Sequence, residues 1–95
     1  MELISELKAL SDDTRYKLVS LLLKNDLCVG ALAVRLHISE SAVSQHLKVL
    51  RDAGIVKGDK RGYYTHYYVD RKRLREAADQ ILALSQMTPT DKKCH

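Results

Sequence analysis

Two helical segments of this chain are separated by almost nothing, and that closeness limits the fold more than any other feature. The first, CVGALAVRLH, places Leu32 and Leu36 with Val29 and Ala33 on one side and closes near His37. Ile38 and Ser39 make the turn, and the second segment, SESAVSQHLKVLRDAG, begins at once. Ser39 can cap its start, Glu40 suits the positive end of the helix dipole, and Gly54 can take the left-handed conformation that ends it. Val43, Leu47 and Leu50 recur at spacings of four and three, with Ala42, Val49 and Ala53 beside them, so one stripe faces a core. The other face, Ser41, Ser44, Gln45, Lys48 and Arg51, is short, polar and basic. Two helices joined by so brief a turn, the second tipped with small polar residues, form the pattern of a helix-turn-helix.

The flanking sequence fills in the rest. Leu3, Leu7 and Leu10 predict a short amphipathic helix. Ser11 is the expected cap of the next, SDDTRYKLVSLLLKN, with Asp12 and Asp13 in its first turn, an apolar face of Leu18, Leu21 and Leu22, and a stop at Asn25. After Gly54 the period changes. IVKGDKRGYYTHYYV gives two extended runs around Arg61 and Gly62, a two-stranded hairpin with glycine at the tip. A last helix, DRKRLREAADQILALSQM, carries Leu74, Ala78, Ile81, Leu82 and Ser85 along one side before Pro89. The expected fold is mainly α, a winged helix-turn-helix with five helices and a two-stranded β-hairpin wing. Residues 1–87 are expected to form one DNA-binding and dimerisation domain, and residues 88–95 a flexible C-terminal tail.

At 95 residues the chain is near the size at which one protomer buries barely enough apolar surface to fold alone, so a partner subunit is expected. Phe and Trp are absent, leaving an aliphatic core and five tyrosines, most of them between Tyr63 and Tyr68. No apolar run reaches the length of a membrane span. The start, MELISELKAL, has acids where a signal peptide needs a basic end, so the expected location is the cytoplasm. Two distant cysteines are too few for a disulfide scaffold.

A formal charge of +4 is compatible with a polyanion as partner. From Lys57 to Arg75 seven basic residues face two acidic ones, so the positive charge is concentrated on and after the hairpin. Double-stranded DNA is the expected partner. Ser39, Ser41, Ala42, Ser44, Gln45 and Lys48 are the candidate contacts on the helix, and Lys57, Lys60 and Arg61 those on the hairpin. Small side chains let the helix backbone approach base edges, and the Gln45 amide presents the donor and acceptor that match adenine N6 and N7. Serines serve base or phosphate with little discrimination, and the cations neutralise phosphates. The bland alternatives are a solvated helix face and a merely soluble hairpin. Hairpin alternation favours packing for Tyr67 and a rim position for Tyr63.

The phrases ALSDDTRYKLVSLLL and DLCVGALAVRLHISESAVSQHLKVLRDAGIV, and the hairpin ending HYYVD, resemble the ArsR/SmtB family of bacterial and archaeal winged-helix repressors over about residues 2–87. The resemblance implies a homodimer whose first and last helices pack together, with one recognition helix per subunit in successive major grooves. It also implies repression relieved by an inducer, often a metal or a sulfur species. Typical arsenic sensors of the family have Cys-Val-Cys where this chain has Cys28-Val29-Gly30, and the zinc sensors use Asp and His in a last helix that here contains no His. Cys28, at the start of a helix whose dipole favours a thiolate, remains with Cys94 and His95 as the candidate effector residues. The tail past Pro89 can span about 20 Å when extended, enough for the two cysteines to meet. A buried structural role for Cys28, a thiophilic metal, a metalloid, thiol oxidation, and no cofactor at all stay open. A winged-helix protein-interaction module without DNA binding is the rival function. No Ser, Cys or carboxylate has a partner base at a recognisable spacing, so no enzyme is expected.

Overall fold

The computed structural model describes residues 2–90. Five helices and two strands follow one another as α1 (Glu2–Leu10), α2 (Asp13–Lys24), α3 (Val29–Leu36), α4 (Glu40–Asp52), β1 (Val56–Arg61), β2 (Tyr64–Val69) and α5 (Arg71–Ser85). No helix among them is long and apolar enough to cross a membrane.

The core is aliphatic, as an absence of Phe and Trp requires. Leu18 and Leu22 of α2, Leu32 of α3, and Val43, Leu47 and Leu50 of α4 meet Ile55, Val56 and Val69 from the base of the hairpin. The α1 helix differs from the expectation of a leucine stripe. Its buried residues are Glu6 and Ala9, while Leu7 is exposed. Burial of a carboxylate demands a partner, and Arg73 of α5 supplies it, its Nε 2.5 Å from Glu6 Oε2. Glu6 also raises the pKa of that guanidinium.

Helix ends explain the boundaries. Asp12, not Ser11, caps α2: its carboxylate accepts from the Arg15 N–H at 3.0 Å. The Ser11 hydroxyl instead donates to the Lys8 carbonyl at 2.8 Å, closing α1. At the end of α4 the Gly54 N–H donates to Arg51 and the Ile55 N–H to Leu50, with Gly54 at φ +80°. The same arrangement ends α3, where His37 holds φ +58° and the Ile38 N–H donates to Ala33. The turn into α4 therefore rests on a left-handed residue that is not glycine.

β1 and β2 pair antiparallel from Val56 opposite Val69 to Arg61 opposite Tyr64. Gly62, at φ +62°, takes the first place in the two-residue loop, as a II′ turn requires. The last helix closes at Ser85, earlier than Pro89. Ala77 is its one buried residue, and Ile81 and Leu82, on the apolar side read from the sequence, are exposed. Residues 88–90 form neither helix nor strand; the remainder of the expected tail, with Cys94 and His95, lies outside the described residues.

Candidate nucleic-acid interface

The recognition helix α4 is held from one side only. Val43, Leu47 and Leu50 are buried, and the stripe one, four, five and eight residues from its first residue, Glu40, is turned outward. Ser41, Ser44, Gln45 and Lys48 are all exposed on that stripe, and Ala42 is half-buried beside it. Ser39 Oγ accepts from the Ala42 N–H at 3.1 Å, so its oxygen caps the helix while its proton stays free to donate. Val49, expected beside the core, is 41% exposed and lines a shallow groove with Lys8, Ala9 and Asp52. It sits where α4 turns toward α1.

The wing presents less free charge than the sequence suggests. Arg61 Nε lies 3.3 Å from Asp59 and Lys57 Nζ 3.2 Å from Asp70. On α4, Lys48 Nζ is 3.1 Å from Asp52. Lys60 alone of these candidate cations forms no ion pair among the described residues. Each paired cation must exchange a carboxylate for a phosphate to bind DNA, an exchange that exposed pairs make at low cost. Asp70 has its carboxyl held below the usual range, first by the Arg73 N–H it accepts and then by Lys57.

The tyrosines divide by strand face. Tyr67 packs against the core, whereas Tyr63 is fully exposed at the tip, and Tyr64 and Tyr68 face outward. His66 ties the wing to the α2–α3 connection, its Nδ1 3.0 Å from Asp26 Oδ1, and its ring stacks on Tyr68. His46 is half-buried in α4, with Nδ1 3.4 Å from the Arg15 guanidinium.

Cys28 is exposed, which overturns the buried alternative. It occupies the N-cap position of α3 without making a side-chain cap bond. Its thiol borders a groove of about 340 Å³ between the start of α3 and the wing, where Asp26, Tyr64, Thr65 and His66 form the other walls. No group of three His, Cys, Asp or Glu side chains among the described residues is arranged to hold a metal ion.

Sequence reasoning missed Arg15 and the Glu6–Arg73 pair. Arg15 Nε donates to the Ala9 carbonyl at 2.6 Å, tying α2 to the end of α1 beside the recognition helix. The one available signal was a glutamate, Glu6, at helical spacing from Leu3, Ala9 and Leu10 in a short amphipathic helix.

Comparison with known proteins agrees with this geometry. The family described as bacterial regulatory protein, arsR family, matches residues 12–57. The transcriptional repressor SdpR of Bacillus subtilis is 31% identical over 75 residues, covering 79% of this chain and 83% of that protein. An ArsR-like transcriptional regulator from Rhodococcus sp. RHA1 superposes with a TM-score of 0.80 at 32% identity, over 88% of this chain and 79% of that one. A homodimeric winged helix-turn-helix DNA-binding domain from Mycobacterium bovis, 20% identical, shares the fold with a TM-score of 0.72 over 99% of this chain and 88% of its own. The chain belongs to the ArsR family and is a winged helix-turn-helix transcriptional regulator, not an enzyme.

Proposed function

We propose that this regulator is a dimeric repressor that reads a short inverted repeat in double-stranded DNA and is released by a thiol-reactive effector. The outward stripe of Ser41, Ser44, Gln45 and Lys48 on a helix locked from behind carries the reading. Gln45 reads a base edge, the serines serve base or phosphate, and Lys48, Lys57, Lys60 and Arg61 engage the backbone. Dimerisation is supported by Ile4 and Leu7 of α1, Ile81, Leu82 and Leu84 of α5, and Met87 beyond it, all exposed on a chain this small. The similar Mycobacterium bovis domain is homodimeric. Two reading heads about 34 Å apart then enter successive major grooves.

Effector release rests on the exposed Cys28 thiol and its groove against the wing, with Cys94 as a second thiol and His95 beside it. A thiophilic metal or metalloid needs ligands from the tail or a second subunit, whereas an oxidant or sulfur species needs only an accessible thiol. Either acts only through a difference in free energy between DNA-bound and free forms.

Gln45→Ala tests the DNA reading by fluorescence anisotropy. The loss is about 1–3 kcal/mol on an operator selected from random sequence, with little change on random DNA. Equal losses on both refute base reading. Operator affinity of wild type, Cys28→Ser and Cys94→Ser, reduced and then treated with oxidant or persulfide donor, tests the effector. A Cys94→Ser protein that responds as fully as wild type removes the tail cysteine from the switch.

A further inference from the structure

At the end of the recognition helix, three elements meet at one joint. The Asp70 N–H donates to the Ile55 carbonyl at 2.8 Å, so α5 begins on the residue that closes the α4 cap. Asp70 Oδ1 then accepts from the Arg73 N–H at 3.1 Å, fixing the first turn of α5. From that turn the Arg73 side chain crosses beneath Gly54. A Cβ at Gly54 would stand 2.9 Å from the guanidinium carbon, so a side chain there would displace the guanidinium from its place against Glu6. Its far side meets Glu6 of α1, and its Nη2 lies 3.6 Å from Glu2.

Glu6 is 2% exposed, and a carboxylate so buried tolerates little displacement of its cation. Gly54 at φ +80° admits no other residue without strain. The guanidinium is thus held from both sides: by the buried acid of α1 and by the backbone that ends α4. A planar fork fills that slot in a way a lysine ammonium does not.

We infer that Arg73 is a positioning residue for DNA recognition: wedged between Glu6 and Gly54, it sets the angle at which α4 leaves α1 and α5. This rests on the dimeric DNA-reading function, in which α1 and α5 join the subunits. The angle at the joint then fixes the separation and twist of the two reading heads. Arg73 contacts no DNA and acts on the half-site spacing that the dimer accepts.

The experiment uses the full chain and an operator selected from random DNA, remade with spacers one base pair longer and shorter. Arg73→Lys retains the charge against Glu6 and vacates the slot under Gly54. The double variant Glu6→Gln, Arg73→Gln removes both charges and leaves no buried carboxylate unpaired. Affinity for each spacer is measured beside the thermal melting temperature. Wild type prefers its selected spacer, and that preference falls at least about five-fold in a variant that still melts cooperatively. A merely structural staple lowers affinity on every spacer in parallel. Parallel losses, or full discrimination in both variants, overturn the role of the joint and leave the dimeric reading intact. A wild type indifferent to spacing overturns the dimeric reading and the joint with it.

Discussion

Asp59→Asn is predicted to tighten DNA binding while touching no base. Arg61 and Asp59 are 53% and 56% exposed at a separation of 3.3 Å, so their pairing is that of two solvated surface groups. Such pairs contribute about 0.2–1 kcal/mol, which the arginine forfeits when it turns to a phosphate. Removing the carboxylate abolishes that cost in each protomer. For a dimer the gain is about 0.4–2 kcal/mol, or about two- to thirty-fold in affinity at about 1.4 kcal/mol per decade. The gain appears equally on operator and random DNA, because phosphates carry no sequence. The slope of the salt dependence stays the same, because Arg61 neutralises the same phosphate in both proteins. Fluorescence anisotropy across a salt series reads both quantities. Asp79→Asn is the charge-matched control, since Asp79 pairs with Arg75 on α5, at 3.7 Å and away from the wing. If that substitution tightens binding as much as Asp59→Asn, the effect belongs to net charge and the wing pair is irrelevant.

Other outcomes concern stability. Asp12 and Asp70 are held below their ordinary value of 3.8 chiefly by the Arg15 and Arg73 N–H groups they accept. Their stabilisation is complete above that value and is lost as pH falls through the depressed folded values. Melting curves from pH 5 to pH 2 decline accordingly, and Asp70→Asn, which keeps an acceptor oxygen, makes the decline shallower; an unchanged slope contradicts this. Leu50→Ala, at a fully buried site, costs about 2–5 kcal/mol in urea unfolding. A loss under about 1 kcal/mol would mean that the core around it collapses freely. His37→Gly relieves the left-handed strain at φ +58° and raises stability by up to about 1 kcal/mol. A lower melting temperature would show that the imidazole contributes more than its backbone costs.

The recognition helix was legible because everything defining it is local: the cap at Ser39, the stop at Gly54, and the period of Val43, Leu47 and Leu50. The cap of α2 was misplaced by one residue because Ser11 and Asp12 are both competent. The choice was decided by the hydroxyl's bond to Lys8 at the end of α1. Periodicity showed α1 to be amphipathic through Leu3, Leu7 and Leu10 but said nothing of Glu6, whose partner Arg73 lies 67 residues away. The candidate cations were found by type, but only the Lys48–Asp52 pairing follows from helical spacing. Lys57 meets Asp70 because the hairpin returns to its base, a closure no local pattern encodes. Apolar character was read correctly along α5, yet no sequence pattern says whether a stripe is covered by its own chain.

That uncovered stripe has a consequence for abundance. A helix that buries Ala77 and little else within its own protomer draws its stability from whatever closes over Ile81, Leu82 and Leu84. With a second copy in that place, the folded fraction becomes a function of concentration by mass action. Newly made or diluted chains then present a fraying C-terminal helix, open to proteolysis, until they find one another. In a dimer of the proposed kind, the regulator's lifetime would be coupled to its own copy number.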